Sequence, residues 1–266
     1  MRRSRDPPPS RRRPCWSVDP FPTLRCFCPV ICAIYLYFAR NHSLFTQRDT
    51  DMKIGILGAG FVGRILGEAA IAAGHEVMIA NSRSPETLFS LKNILGAEVG
   101  TAEDAAKFGE LVIAAVPLTA CRSLPADALR GKIVIDAINY YPGRDGAIPA
   151  LDTGAETTSE MLASALPGAR VVKAFNSIMM IDFHRDARKS GAPDRRAIPI
   201  AGDDEAAKAE VAALMDALGY DAYDAGPLAE GWRFERDRPA YCAALDRDAL
   251  AKSLAATTRE SWQVAA

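Results

Sequence analysis

The chain has 266 residues, of which 49% are hydrophobic and 24% charged, with a formal net charge of −1. This is an ordinary globular composition, and it excludes a collagen-like, low-complexity or wholly disordered chain. Charge is unevenly spread: residues 1–51 hold nine arginines and four aspartates, leaving the rest at net −6, so neither nucleic acid nor an anionic membrane surface is an expected partner.

Residues 1–51 read as a poorly ordered N-terminal extension. They contain seven of the 17 prolines and four of the six cysteines, and an Arg/Pro/Ser-rich opening buries too little apolar surface to fold alone. The apolar run from Phe27 to Ala39 is shorter than the ~20 residues of a membrane span, and Pro29 interrupts it. A signal peptide fits the basic start, but no convincing small-residue cleavage site follows. The favoured reading takes Met52 as the natural start; membrane association through residues 27–39 is the alternative. Cys15, Cys26, Cys28 and Cys32 have no metal-ligand spacing with histidines. Beyond them only Cys121 and Cys242 remain, which makes no disulfide framework and points to the cytoplasm.

From Met52 onward the pattern is α/β. Ile54–Leu57 has strand character and runs into Gly58, Gly60 and Gly63; a helical stripe through Val62, Ile65, Leu66, Ala69 and Ala73 follows, then a strand over Glu76–Ala80. Strand, glycine turn, helix and strand within about 30 residues is the setting of a dinucleotide-binding G-x-G-x-x-G. Gly58 is expected to allow the turn, Gly60 to let a pyrophosphate approach the backbone, and Gly63 to let the helix pack on the sheet. The second strand ends in Ala80-Asn81-Ser82-Arg83-Ser84, with no carboxylate to take a ribose hydroxyl. Arg83 can pair with a 2′-phosphate and the serines can donate to it, so the expected cofactor is NADP(H).

Further on, residues 85–96 read as a helix ended by Gly96, and Thr101-Ala-Glu-Asp104 as a capping box. Leu111–Val116 reads as a strand covered on both faces, ended by Pro117. Val116 to Thr119 therefore falls at the carboxyl edge, where ligands bind in open α/β sheets. Gly131–Asp136 is the next strand, and its edge continues through Ala137 and Asn139. Residues 142–157 read as a long irregular loop and one wall of the substrate site. Thr158–Leu166 is helical, Ala169–Ala174 a strand, and Asn176 at its end is a candidate contact for nicotinamide or substrate. Residues 182–196 look like a charged surface excursion. Ala197–Ala201 reads as an edge strand because of Pro199. A helix from Asp203 to Leu218, a strand over Asp221–Asp224 and a final helix of about 16 residues from Asp246 complete the pattern. Trp232, Phe234 and Tyr241 put aromatic surface between these last elements.

The expected architecture is a Rossmann-type doubly wound, mostly parallel sheet over residues 52–228, with a small helical tail, residues 229–266, packed on it. The candidate cofactor residues are Gly58, Ala59, Gly60, Phe61, Val62, Gly63, Asn81, Ser82, Arg83, Val116, Pro117, Ala137 and Asn139. Leu118 and Asn176 are candidate substrate contacts, and no metal site is expected. No acid–base pair stands out. Tyr140 lacks a lysine four residues on, and His42, His75 and His184 are scattered, with His75 expected to be structural and His184 a weak acid–base candidate. Cys121 reads as buried. This absence suits an acceptor that takes hydride directly into a conjugated ring.

Several blocks carry a resemblance: Met52-Lys-Ile-Gly-Ile-Leu-Gly-Ala-Gly-Phe-Val-Gly, Ala80-Asn-Ser-Arg, Ala115-Val-Pro, Val134-Ile-Asp-Ala-Ile-Asn, Val171-Val-Lys-Ala-Phe-Asn-Ser-Ile, Ala201-Gly-Asp-Asp and Asp224-Ala-Gly-Pro-Leu. As a set, from Met52 to about Leu228, they resemble the NADPH-dependent reductases of the deazaflavin coenzyme F(420). The resemblance implies an enzyme that transfers hydride between NADP(H) and a deazaflavin, often as a homodimer. It carries cofactor contacts onto Ala59, Gly60, Phe61, Val62, Ser82, Arg83, Val116 and Ala137. Leu118-Thr119 and the length of residues 142–157 depart from the archaeal members, and the tail Gly231-Trp-Arg-Phe-Glu-Arg resembles a bacterial-type subgroup. Two other classes stay open: an NADP-dependent imine, flavin or metal reductase, and a non-catalytic NADP sensor.

Overall fold

The computed structural model describes residues 52–259. The readings made on residues 1–51 lie outside them. The first half of the described chain runs β1 (Lys53–Leu57), α1 (Phe61–Ala72), β2 (Glu76–Ala80), α2 (Phe89–Leu95), β3 (Glu98–Val99), α3 (Ala102–Phe108), β4 (Leu111–Ala114), α4 (Ala126–Leu129) and β5 (Ile133–Asp136). It continues through α5 (Pro142–Asp145), α6 (Pro149–Asp152), α7 (Thr158–Ala165), β6 (Arg170–Lys173), α8 (Phe183–Asp186), β7 (Ala197–Gly202), α9 (Glu205–Ala217), β8 (Asp221–Asp224) and α10 (Arg247–Ala256). Short 3-10 turns lie at Pro85–Leu88, Leu118–Ser123, Met180–Asp182 and Leu228–Phe234.

The strands form one sheet in the order β3-β2-β1-β4-β5-β6-β7-β8, parallel except for the antiparallel β6–β7 pair. This is the expected doubly wound α/β fold. Alternation along the strands sends Ile54, Ile56, Ile113 and Ile135 to a core shared with α1, α2 and α9. Leu57, Val112, Ala114 and Val134 go to the opposite face, against residues of α3, α4 and α7. Both faces are covered, which is why these strands read as continuous apolar runs. A third cluster joins Ala197 and Ala201 of β7 to Phe234, Leu250 and Leu254 of the tail. Among the described residues no helix is long and apolar enough to cross a membrane.

The expected capping box at Thr101–Asp104 is formed, a second one not read from the sequence stands at Thr157–Glu160, and Gly96 closes α2 in the left-handed region. Four expectations change. Pro199 does not mark an edge: β7 lies between β6 and β8, but it overlaps β6 only at Ala201 and Gly202, so Pro199 needs no donor toward β6. The segment 142–157 is not irregular; it holds α5 and α6, braced by Tyr140, whose hydroxyl donates to Gly146 O or to Asp152 and accepts from Ile148 N. Residues 182–196 are not all surface: Phe183, Arg195 and Arg196 are buried, the arginines neutralised by Asp216, Asp221 and Asp186. The last helix has 10 residues, because Thr257 leaves helical geometry.

Candidate active site

Chain order reverses beside β1: β2 pairs on one side of it and β4 on the other. The crevice outside the carboxyl ends of β1 and β4 is where dinucleotides bind in such sheets. Its floor is the glycine turn, and the three glycines differ in what they tolerate. Gly58 has φ +116°, and a Cβ there would lie 2.2 Å from Ala115 O. A Cβ on Gly63 would lie 1.9 Å from Gly58 O. A Cβ on Gly60 meets nothing within 4 Å. Gly58 and Gly63 therefore serve the packing of the turn, while the space beside Gly60 is open.

Gly60 is also the N-cap of α1, with no side-chain cap, and the first turn carries no acidic residue. The leading N–H groups have no intrahelical partner and sit at the positive end of a 12-residue helix, which suits a pyrophosphate. Ala59 and Gly63 are buried, Val62 is half-buried, and Phe61 is 60% exposed at the crevice mouth. Arg64 turns back to donate through Nε to Ala59 O at 2.8 Å, bracing the turn.

At the end of β2, Asn81 Oδ1 accepts from Arg83 N at 2.9 Å and Asn81 Nδ2 donates to Thr87 Oγ1 at 3.0 Å. Asn81 thus shapes the loop. Ser82 and Arg83 are exposed, and among the described residues no ion pair engages the Arg83 guanidinium. Ser84 is bonded to Glu86, whose carboxyl it holds below the usual range. This loop offers a 2′-phosphate one unpaired cation and a neighbouring hydroxyl.

The other end of the crevice comes from the ends of β4, β5 and β6. Backbone bonds carry these edges past the strands: Ala115 N to Leu57 O, Ala137 N to Ala114 O and Ala174 N to Asp136 O. Val116 is half-buried, Pro117 exposed and Ala137 buried along this line. Asn139 Nδ2 donates to Asn176 O at 2.8 Å, and Asn176 Nδ2 donates to Phe234 O at 3.0 Å. These amides tie β5, β6 and the tail together, so Asn176, only 2% exposed, is a clasp in this state, although its Oδ1 has no protein partner. Leu118 is 1% exposed and belongs to the cluster that includes Cys121 and Leu162. The expectation that Leu118 touches substrate gives way to a packing role, because the 3-10 turn after Pro117 folds it into the core.

Phe175, between β6 and Asn176, is a buried bulky residue at φ 61°, a conformation that persists only where packing imposes it; its ring lies 6.0 Å from that of Phe183. The tail then crosses the edge. Cys242 N donates to Ser177 O at 3.0 Å, and the hydroxyls of Tyr141 and Tyr241 pair at 2.8 Å. Burial pushes the Tyr241 phenol well above its ordinary range, so it stays protonated. The expected wall from residues 142–157 is present only at its start, where Arg144 donates to Asn139 O at 2.9 Å; Leu151 of α6 packs in the core. The tail is bonded to this edge more extensively, at Tyr141, Asn176 and Ser177.

The remaining candidates take structural places. His75 Nδ1 accepts from Met52 N. His184 faces Glu68 at 3.6 Å, about two turns along α1 from Gly60, away from the carboxyl edge. Cys121 is buried, and burial raises its thiol above the usual range. Among the described residues no group of three His, Cys, Asp or Glu side chains is placed to hold a metal. Sequence reasoning missed Asp136 and Lys173, the last residues of β5 and β6, and Glu235 of the tail, which meet in one buried ionic cluster. The available signal was a charge at a core-facing position in two apolar strands.

Residues 53–140 match the profile of the family described as NADP oxidoreductase, coenzyme F(420)-dependent. The chain is 34% identical over 185 residues to Metalloreductase STEAP3 of Rattus norvegicus, a match that covers 69% of this chain and only 36% of that protein. Among solved structures, a hypothetical protein from Sinorhizobium meliloti is 31% identical with a TM-score of 0.61, over 74% of this chain and 95% of its own. A protein from Arthrobacter sp. FB24, put forward as an F(420)-dependent NADP reductase, is 31% identical with a TM-score of 0.59, over 68% of this chain and 87% of its own. The glycine turn, the open face of Gly60 and a relative matched over most of its length lead to one conclusion: the chain is an NADP(H)-binding member of the coenzyme F(420)-dependent NADP oxidoreductase family.

Proposed function

We propose that this chain passes hydride between NADPH and a planar conjugated acceptor of the deazaflavin type. The supporting observation is apolar surface in an unusual place. Of the exposed large hydrophobic side chains, Phe61, Met179 and Ile181 stand on the segments that leave β1 and β6 at the carboxyl edge. The turn Met180–Asp182 packs against α1, the helix that Phe61 opens. Exposed apolar groups beside a polar crevice suit a flat aromatic ring better than a compact, hydrated carbonyl.

NADPH supplies the hydride when bound. The chain's own residues do the rest: Gly60 and the first turn of α1 hold the pyrophosphate, and Arg83 with Ser82 holds the 2′-phosphate. Ala137 and Asn139 support the nicotinamide, while Phe61 and Met179 exclude water from one side of the acceptor. The polar groups near this edge are engaged with one another: Tyr141 with Tyr241, and Asn139 with Asn176. A ring that delocalises the incoming electron pair needs no side-chain acid at the hydride-receiving atom. The test is NADPH oxidation by the full chain with F(420), flavin mononucleotide or a cyclic imine offered separately. Turnover with F(420) is expected; turnover with the imine alone would overturn the reading.

A further inference from the structure

Asp136 and Lys173 are cross-strand partners at the last positions of β5 and β6, and both side chains are 0% exposed. Lys173 Nζ lies 3.4 Å from Asp136 Oδ2, 3.3 Å from Glu235 Oε1 and 2.7 Å from Thr158 Oγ1. Asp136 uses both oxygens. Oδ1 accepts from Ile138 N at 2.9 Å, fixing the bend into the edge that holds Ala137 and Asn139, and Oδ2 also accepts from Ser159 Oγ. Glu235 Oε1 accepts from Thr158 Oγ1 at 2.5 Å and from Thr158 N at 3.2 Å. Two carboxylates thus face one ammonium. The N-terminal turn of α7, through the Thr158 N–H and the hydroxyls of Thr158 and Ser159, supplies the remaining compensation.

Glu235 belongs to the tail, and the tail lies directly on the lysine. A Cβ on Gly231 would come 2.8 Å from Lys173 Cδ, so the glycine is what lets this segment rest on the buried stem. From there Phe234 O takes the Asn176 amide and Cys242 takes Ser177 O. A buried ion pair is weak evidence for stability, since apolar residues of the same volume often serve as well. Stability alone does not explain why a single ammonium joins the residue that shapes the cofactor edge to the residue that anchors the opposite wall.

We propose that Lys173 is a positioning residue for hydride transfer: through Asp136 it sets the backbone that supports the nicotinamide, and through Glu235 it sets the tail that walls the acceptor. The inference rests on the hydride-transfer reading above and adds a division of labour to it. Asp136 governs the cofactor side, Glu235 the acceptor side, and Lys173 their separation.

The test uses the full chain as wild type, Asp136→Asn, Glu235→Gln and Lys173→Met. It measures NADPH Kd, kcat and KM with F(420), and the isotope effect from NADPH deuterated at the transferred position. Glu235→Gln should raise the F(420) KM and the isotope effect with NADPH Kd unchanged, and Asp136→Asn should weaken NADPH first. Lys173→Met should lower kcat about 10- to 100-fold, the scale of an ångström-level misplacement. Variants that lose thermal stability but keep wild-type constants and isotope effect would overturn the proposal, as would Asp136→Asn and Glu235→Gln that move the same constants. If Lys173→Met does not fold, the other two still decide. If the wild type does not turn over F(420), the functional reading falls. The positioning claim is then judged by NADPH Kd and amide exchange: Asp136→Asn should loosen 137–139 and weaken NADPH, and Glu235→Gln should loosen only 231–242. Any other pattern rejects it.

Discussion

Gly60 and Arg83 carry the cofactor assignment, and each makes a separable prediction. Gly60 has φ −75° and no atom within 4 Å of a built Cβ, so Gly60→Ala should fold as wild type. The added methyl would occupy the pyrophosphate's approach, so NADPH affinity should fall by at least ~10-fold, about 1.4 kcal/mol. Titration calorimetry beside a melting curve checks both halves, and a large drop in Tm would mean the glycine serves the fold instead. Arg83→Ala should weaken NADPH by about 1.5–3 kcal/mol, the scale of a charge-assisted bond, and leave NADH nearly unchanged. Equal losses for both cofactors would remove the 2′-phosphate contact. Both positions were legible in the sequence because a glycine turn and a missing carboxylate are local features. Leu118 and Asn176 were not legible as packed residues, since Leu118 is buried in a cluster that includes Leu162 of α7 and Asn176 is held by the tail, both distant in the chain.

At the level of elements, α9 is held by one carboxylate with two tasks. Asp204 caps the helix by accepting from Ala207 N at 3.0 Å, and it grips Arg170 of β6 through 2.6 and 3.0 Å bonds. Arg170, and then the backbone donor, hold its carboxyl well below the usual carboxylate range. A folded-state pKa depressed in this way stabilises the protein above the unfolded value of about 3.9, and the contribution is lost as pH falls through the folded value. Asp204→Ala should lower stability at pH 7, because the helix loses its cap as well as the ion pair. Its urea midpoint should also fall less steeply than that of wild type below about pH 4. Identical acid slopes would show that Arg170–Asp204, with side chains 31% and 38% exposed, contributes nothing. The capping boxes at Thr101 and Thr157 show how local such signals are. The misread β7 shows the limit: Pro199 has the usual meaning for a strand, but the two-residue overlap with β6 is a fact of assembly.

Across the whole molecule, the tail is bonded to the carboxyl edge of the sheet. Phe234 is fully buried between β7 and α10, and its carbonyl holds Asn176. Phe234→Ala should destabilise the fold by about 3–5 kcal/mol, the range for deleting a buried aromatic. Equilibrium unfolding measures it, and a cost below ~1 kcal/mol would mean the tail is an accessory rather than part of the core.

The sequence by itself determined the doubly wound sheet, the glycine turn and the binding of NADP(H). Each rests on short-range chemistry: continuous apolar runs in strands buried on both faces, a residue without a Cβ, and a loop lacking a carboxylate. Tertiary structure alone decided which charges are buried and which residues the tail holds at the sheet edge. Asp136, Lys173 and Glu235 are separated by 37 and 62 positions in the chain, yet they share one ionic cluster. Only the pairing of β5 with β6 and the return of the tail across both bring them together. Such long-range neutralisation, which makes a buried charge tolerable, leaves no periodic trace in the residues that achieve it.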